Sequence, residues 1–243
     1  MSDQDVLPMD NSRREALVAF LKRISPEEPP SVEMLTLVNQ ALTHISSGHQ
    51  QHHERLEFLG DAVLRLAATQ YIDRSHPNLV VGECSSLRAQ LVSDRWLAAV
   101  GERIQLEPLL ILGNQARSDD AARATLLADT TEALIGALFE ATGSLATIHQ
   151  WLTPHWQKTA QAVLEAPRHF NSKTALQEWS QGQALGLPNY CTNERSQRHG
   201  DPRRFSSQVS IGEQLTAEGW GRSRKEAEQD AANAALDQLE SDD

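Results

Sequence analysis

The sequence predicts a chain of two domains, an all-α N-terminal domain followed by a small α+β domain with the element order α-β-β-β-α. Two observations predict this: apolar residues recur at helical spacing over residues 12–165, and short runs of strand-forming residues appear only after them. The chain has 243 residues, 40% of them hydrophobic, which is enough for two modest cores. We place the boundaries at residues 12–144 for the first domain, 145–169 for a closing helix and linker, and 170–240 for the second.

Six helices are predicted up to residue 164, the last of them being the closing helix. Leu17, Phe20, Leu21 and Ile24, for example, recur at three- and four-residue spacing and define the apolar face of the first helix. The helices are predicted over residues 12–24, 32–42, 54–72, 83–100, 124–142 and 144–164. Gly143 is the predicted C-cap of the fifth. Residues 25–31, 107–113 and 115–123 are predicted loops or turns.

The second domain begins after a linker-like stretch at residues 166–172. Helices are predicted at its two ends, and three short strands between them. The elements are a helix over 173–185, strands over 189–196, 204–211 and 214–221, and a helix over 223–239. The last helix opens with Ser223 and Glu226 at the spacing of a capping box.

Composition excludes several classes of protein. The two cysteines, Cys84 and Cys191, are too few for a disulfide scaffold or a cysteine-rich zinc site. A net charge of −11 argues against a nucleic-acid binder that works by bulk positive charge, although local basic patches remain compatible with it. The acidic N-terminus does not resemble a signal peptide, and no apolar run approaches the roughly 18 residues of a membrane span. We therefore expect a cytoplasmic protein without a membrane partner.

Five acidic residues form the most informative pattern. Glu54, Glu57 and Asp61 lie on one face of a predicted helix, with no lysine or arginine expected among them, and Asp129 and Glu132 share the edge of a very apolar helix. One interpretation is that these acids are ordinary solvent-exposed residues on the polar faces of their helices. If the two helices pack together, however, the cluster needs a counter-charge, and carboxylate oxygens favour Mg²⁺ or Mn²⁺. Such a site is suited to phosphodiester hydrolysis.

These acids lie in motifs that resemble bacterial ribonuclease III. HERLEFLGDAVL at residues 53–64 closely matches the signature of that family, and LLADTTEALIGAL at residues 126–138 matches its second motif. AQLVSDRWLAAVG at residues 89–101 is similar to the segment between them. The resemblance extends from about residue 12 to residue 165.

The resemblance implies an all-helical endonuclease domain that acts as a homodimer on double-stranded RNA. Matched by position, Glu57, Asp129 and Glu132 would bind Mg²⁺, with Mn²⁺ as a substitute, and Asp61 and Glu132 would be catalytic. Glu54 would lie near the dimer contact and the RNA. The family implies 5′-phosphate and 3′-hydroxyl ends, and substrates in ribosomal RNA precursors and structured messenger RNAs. His52 and His53 are expected to be exposed polar residues without a catalytic role.

The second domain resembles a double-stranded RNA-binding domain, through SKTALQEWSQ at residues 172–181 and GWGRSRKEAEQDAANAAL at residues 219–236. Such domains read the shape of A-form RNA over about 16 base pairs. The resemblance places Gln177 and Glu178 against the minor groove. Arg222, Arg224 and Lys225 would bind phosphate at the start of the last helix.

The loop before the second strand departs from the family pattern. The family has a histidine four residues before the phenylalanine, whereas here Asp201 stands four residues before Phe205 and His199 stands six before it. The role of His199 therefore stays open, and Arg203 and Arg204 are the expected phosphate contacts.

There are two alternatives to a duplex-RNA endonuclease. The first is a catalytically silent protein that binds double-stranded RNA, and the intact Glu57, Asp61, Asp129 and Glu132 argue against it. The second is a helical interaction protein that does not bind RNA. Binding of duplex RNA that weakens as salt rises would exclude the second.

Overall fold

The computed structural model describes residues 9–24, 29–117, 122–165, 172–197, 201–212 and 215–241. The chain divides into two compact units, Met1–Gln161 and Ala162–Asp243. The first is helical and the second has the order α-β-β-β-α, so the predicted fold class is confirmed. The predicted linker before Ser172, most of the loop at 25–31, and His199 lie outside the described residues. In the described part of the chain, no helix is both long and apolar enough to cross a bilayer.

The helical region up to residue 165 contains eight α-helices among the described residues. They are α1 (Asn11–Ile24), α2 (Val32–Ala41), α3 (Glu54–Ser75), α4 (Val81–Leu91), α5 (Asp94–Arg103), α6 (Asn114–Arg117), α7 (Arg123–Thr142) and α8 (Ala146–Glu165). Helix α7 lies at the centre and packs against α2, α3 and α5. Because it has neighbours on several sides, ten of its residues are buried, among them Leu127, Leu134, Ile135 and Leu138.

The structure differs from the sequence prediction in two helices. The segment predicted as one helix over 83–100 forms α4 and α5, because the Ser93 hydroxyl accepts a hydrogen bond from the Trp96 amide at 3.3 Å and caps a new helix. The predicted loop at 115–123 overlaps the short helix α6, and residues 118–121 lie outside the described ones. Gly143 ends α7 in the left-handed conformation, at φ +63°, as predicted.

The α+β unit is a three-stranded antiparallel sheet with a helix at each end of the sequence. Its elements are α9 (Ser172–Gly182), β1 (Asn189–Glu194), β2 (Phe205–Ile211), β3 (Leu215–Gly221) and α10 (Arg224–Ser241). The strand order is β1-β2-β3, with Cys191 opposite Gln208 and Val209 opposite Ala217. Alanines of α10 pack on the sheet so closely that a methyl group on Gly219 would lie 2.0 Å from the Ala231 amide nitrogen.

Candidate active site and nucleic-acid interface

Two glycines allow α3 and α7 to cross with their backbones in contact. A methyl group built on Gly60 would lie 1.8 Å from the carbonyl oxygen of Glu132. One built on Gly136 would lie 2.1 Å from the carbonyl oxygen of Leu56. Both distances are far inside van der Waals contact, so neither position accepts a larger residue without moving a helix. This crossing fixes how near the acids of the two helices come to each other.

The crossing brings together the four acids expected to do the chemistry, Glu57 and Asp61 of α3 and Asp129 and Glu132 of α7. Burial raises the pKa of Glu132 to about 7, and repulsion from Asp61, Glu57 and Asp129 adds to it. Burial also raises the pKa of Glu57, followed by repulsion from Asp129. The pKa of Asp129 is raised mainly by burial as well. The four carboxylates therefore form one electrostatically coupled cluster that favours a bound cation or proton.

Arg65 is a counter-charge that the sequence analysis missed. Its Nε atom donates to both carboxylate oxygens of Asp61, at 2.8 and 3.0 Å. The expectation that no arginine relieves the acidic face is therefore wrong, because a residue four positions after Asp61 lies on the same side of the helix. Glu132 also helps to raise the pKa of Arg65, after the larger effect of Asp61. Arg65 thus belongs to the edge of the acid cluster.

Asp94, the first residue of α5, is a further acid near the cluster. Burial is the main reason that the pKa of Asp129 is raised, and the charge of Asp94 is the second. The charge of Asp94 also contributes to the raised pKa of Glu132. Nothing in its local sequence marks it as part of a site, because it lies 35 positions before Asp129 in the chain. Only the packing of α5 on α7 brings it there.

His53 is buried, contrary to the expectation that it is an exposed residue before the helix. Only 3% of it is exposed, and its Nε2 lies 3.4 Å from a carboxylate oxygen of Glu57. Its ring stacks on His44 with 4.8 Å between centroids. Burial, followed by repulsion from His44, lowers the pKa of His53 to about 4. His52 is partly exposed, with its Nδ1 3.8 Å from a carboxylate oxygen of Glu54.

Some of these side chains offer ligand atoms that lie close together and could bind one metal ion. One ligand atom each of His53, Glu57 and Asp129 lie within 4.8 Å of one another. Glu132 is coupled to Glu57 and Asp129 and lies at the same crossing. Glu54 is more exposed, with 56% of its side chain accessible, and its charge contributes to the raised pKa of Glu57. The carboxylate oxygens among these donors suit Mg²⁺ or Mn²⁺.

The raised pKa of Glu132 makes the stability of the metal-free chain depend on pH. Between the ordinary pKa of 4.5 and about 7, the folded chain keeps a proton on Glu132 that the unfolded chain has lost. Glu132 therefore destabilises the folded state increasingly as pH rises through this window. Buried histidines such as His53, whose pKa is lowered, change stability with pH in the opposite direction. The effect of Glu132 is therefore isolated by comparing the wild type with a variant that lacks this carboxylate. In EDTA, the melting temperature of Glu132→Gln relative to wild type should increase from pH 5 to pH 7.5, and a constant difference would contradict the assigned shift.

In the α+β unit, the candidate RNA-contact residues are all on the surface or partly exposed. Gln177 and Glu178 are adjacent, exposed residues of α9. Arg222, Arg224 and Lys225 are exposed at the start of α10. The helix begins with a modified capping box: the Ser223 hydroxyl accepts from the Glu226 amide at 3.2 Å, and the Glu226 carboxylate accepts from the Arg222 amide at 2.9 Å. The amides and cations there favour an anion.

Arg203 and Arg204 lie near this helix start, each against an aromatic ring. The guanidinium of Arg203 is 4.3 Å from the centre of the Trp220 ring, and that of Arg204 is 5.2 Å from the Phe205 ring. Arg224 approaches the same Phe205 ring at 5.7 Å. Arg204 also forms an ion pair with Glu194 at 2.8 Å. The structure thus gathers three of the expected cations around Phe205 and Trp220, which pairing between β2 and β3 brings together.

Comparison with known proteins covers both units. A family model described as Ribonuclease-III-like matches residues 35–153, and one described as Double-stranded RNA binding motif matches residues 172–239. The chain is 51% identical over 205 residues to Ribonuclease 3 of Prochlorococcus marinus, which spans 84% of this chain and 82% of that protein. It is 39% identical to Ribonuclease 3 2 of Synechocystis sp. over 92% of this chain and 91% of the relative. Ribonuclease 3 of Gloeobacter violaceus is 39% identical over 99% of this chain and 97% of that protein.

Proposed function

The chain belongs to the ribonuclease III family and is an endoribonuclease of that type, and on this premise we propose that it hydrolyses double-stranded RNA with Mg²⁺ as cofactor. Water attacks the phosphorus atom and the bond to the 3′ oxygen breaks, leaving 5′-phosphate and 3′-hydroxyl ends. We further propose that it acts in the cytoplasm on hairpins of ribosomal RNA precursors and on structured messenger RNAs.

The observation that carries this proposal is the coupled cluster of Glu57, Asp61, Asp129 and Glu132 at the helix crossing. The charges of Glu57, Asp61 and Asp129 all help to raise the pKa of Glu132, and such a group of acids repels an RNA phosphate until a cation neutralises it. In the proposal, Glu57, Asp129 and Glu132 hold the metal ion. When bound, the cation supplies an activated water and stabilises the leaving oxygen.

The other residues of the cluster orient the reactants. In the proposal, Asp61 accepts a hydrogen bond from the attacking water, which turns a lone pair toward the phosphorus atom. Arg65 holds the Asp61 carboxylate in position before RNA arrives, since it donates to both of its oxygens. Glu54 lies at the exposed end of the same helix face, where the RNA and the second protomer would approach.

The function is tested by incubating the full chain with an end-labelled RNA duplex of about 30 base pairs, long enough for one domain footprint and a cleavage site. We expect discrete products with 5′-phosphates in Mg²⁺ or Mn²⁺ and none in EDTA. Binding without cleavage in either metal would instead support a silent binding protein. Absence of binding at any salt concentration would refute an RNA-directed function.

We propose that the active form is a homodimer joined through an exposed apolar stripe on α3. Phe58 is 82% exposed and Leu66 is 53% exposed, and Ala62 lies exposed between them at helical spacing. Apolar side chains in such a stripe are stabilised when a second copy covers them.

Sedimentation at micromolar concentration should show a dimer for the wild type and a monomer for Phe58→Asp, because the charge cannot be buried unpaired. Val32→Asp, on the exposed end of α2, is the matched control and should remain dimeric. A monomeric wild type would contradict the assembly.

The cations at the start of α10 are predicted to supply salt-dependent affinity for duplex RNA. Replacing both Arg224 and Lys225 with alanine should weaken binding about tenfold and reduce the slope of log affinity against log salt by about 1 to 2, since two phosphate contacts are lost. Lys158→Ala removes an exposed charge from α8 and serves as the control. An unchanged slope in the double variant would place the phosphate contacts elsewhere.

A further inference from the structure

We propose that His53 is an imidazole ligand of the cation held by Glu57 and Asp129, which makes the site a mixed nitrogen and oxygen site that prefers Mn²⁺ to Mg²⁺. The inference rests on the proposed function, because it concerns the same metal ion. It assigns a direct contact with that ion to His53, the first residue of the motif at residues 53–64 and not one of its acids. It also predicts that this residue strengthens the binding of Mn²⁺ more than the binding of Mg²⁺.

The distances around His53 fit shared ligation better than a hydrogen bond. Its Nε2 is 3.4 Å from the Glu57 oxygen, beyond the usual range of about 2.7–3.2 Å for a nitrogen–oxygen hydrogen bond. Two neighbouring ligands on an octahedral ion with bonds of about 2.1 Å are roughly 3 Å apart. One ligand atom of Asp129 lies within 4.8 Å of both. The three donors are therefore close enough together to share one cation.

The surroundings of His53 restrict its ring and leave one of its two nitrogens unpaired. Only 3% of the residue is exposed, and its Nδ1 has no hydrogen-bond partner among the described residues. The backbone amide of His53 donates to the carbonyl of Thr43 at 2.9 Å, and the ring stacks on His44. A neutral imidazole that carries its proton on Nδ1 has the lone pair of Nε2 free on the side of Glu57, where it can bind a cation.

The chemistry of the donor sets the metal preference. Mg²⁺ is a hard ion that prefers oxygen ligands and retains its water molecules, whereas imidazole binds first-row transition ions more strongly. Mn²⁺ accepts oxygen and nitrogen donors together. Loss of His53 should therefore reduce affinity for Mn²⁺ much more than affinity for Mg²⁺, because water can replace the imidazole on Mg²⁺ at small cost.

The test is electron spin-echo spectroscopy of Mn²⁺ bound to the full wild-type chain, without RNA. We expect nitrogen modulation from a directly bound imidazole, and this readout needs no variant and no turnover. In calorimetric titrations, His53→Asn should bind Mn²⁺ about tenfold more weakly and Mg²⁺ within about twofold of wild type. His52→Asn, one position earlier, should match wild type in both, and circular dichroism checks that each variant is folded.

The possible results separate this inference from the proposed function. Mn²⁺ bound without nitrogen modulation, with equal affinity in His53→Asn, would overturn the ligand role while leaving the acidic metal site intact. Failure of the wild type to bind either ion would overturn both. If nitrogen modulation persisted in His53→Asn and disappeared in His52→Asn, the ligand would be His52 instead of His53, and the inference would be overturned.

Discussion

Glu132→Gln is expected to reduce cleavage of duplex RNA by about a thousandfold or more, while RNA affinity stays within about twofold of wild type. The substitution keeps the size of the side chain and removes the charge that helps to hold the metal ion. Because Glu132 is half-buried among like charges, the metal-free variant should be at least as stable as wild type at neutral pH. Single-turnover cleavage and binding in EDTA separate the two effects.

Glu102→Gln is the matched control for this variant, since Glu102 is an exposed acid on α5 and its charge does not contribute to the raised pKa of Glu132. It should cleave at the wild-type rate. A Glu132→Gln chain that lost RNA binding and cleavage together would show that the carboxylate has a structural role instead.

Gly60→Ala is expected to destabilise the chain by about 3 kcal/mol, at the upper end of the effects of overpacking. The added methyl group would meet the backbone of Glu132 at 1.8 Å, so α3 and α7 would have to separate. Separation would also move Glu57 and Asp61 away from Asp129 and Glu132. Urea denaturation and Mn²⁺ titration should therefore show loss of stability and loss of metal affinity in the same variant.

Gly82→Ala provides an internal comparison, because Gly82 lies within α4 and a methyl group there meets no atom within 4 Å. Alanine is favoured over glycine in a helix by roughly 0.5–1 kcal/mol, so this variant should be slightly more stable than wild type. Equal stability of the two alanine variants would mean that the helices do not cross as closely as described.

The fold class and the four principal acids could be predicted from the sequence because each depends on local pattern. Apolar spacing gives the helices, and the motifs around Glu57 and Asp129 are contiguous. The break between α4 and α5 was missed because apolar periodicity continues across it, although Ser93 is a recognisable N-cap. Sequence spacing cannot show which of several apolar helices pack together, so it left open whether the two acidic edges meet.

The remaining parts of the site depend on tertiary packing. Asp94 joins the cluster through contact between α5 and α7, and His53 is buried because its amide binds the distant Thr43 carbonyl and its ring stacks on His44. Arg65 is different: its position four residues after Asp61 made it predictable from helix geometry alone.

The contact between Gly60 and Gly136 also determines when the entropy of assembling the metal site is lost. Each carboxylate projects from a helix whose distance from the other is set by main-chain atoms, so mutual repulsion cannot be relieved by a small drift of the helices. The conformational entropy lost in gathering the acids is thus lost during folding, before any ion arrives. Capture of a cation then requires little rearrangement of the main chain, and the repulsion present in the ion-free protein becomes part of its affinity.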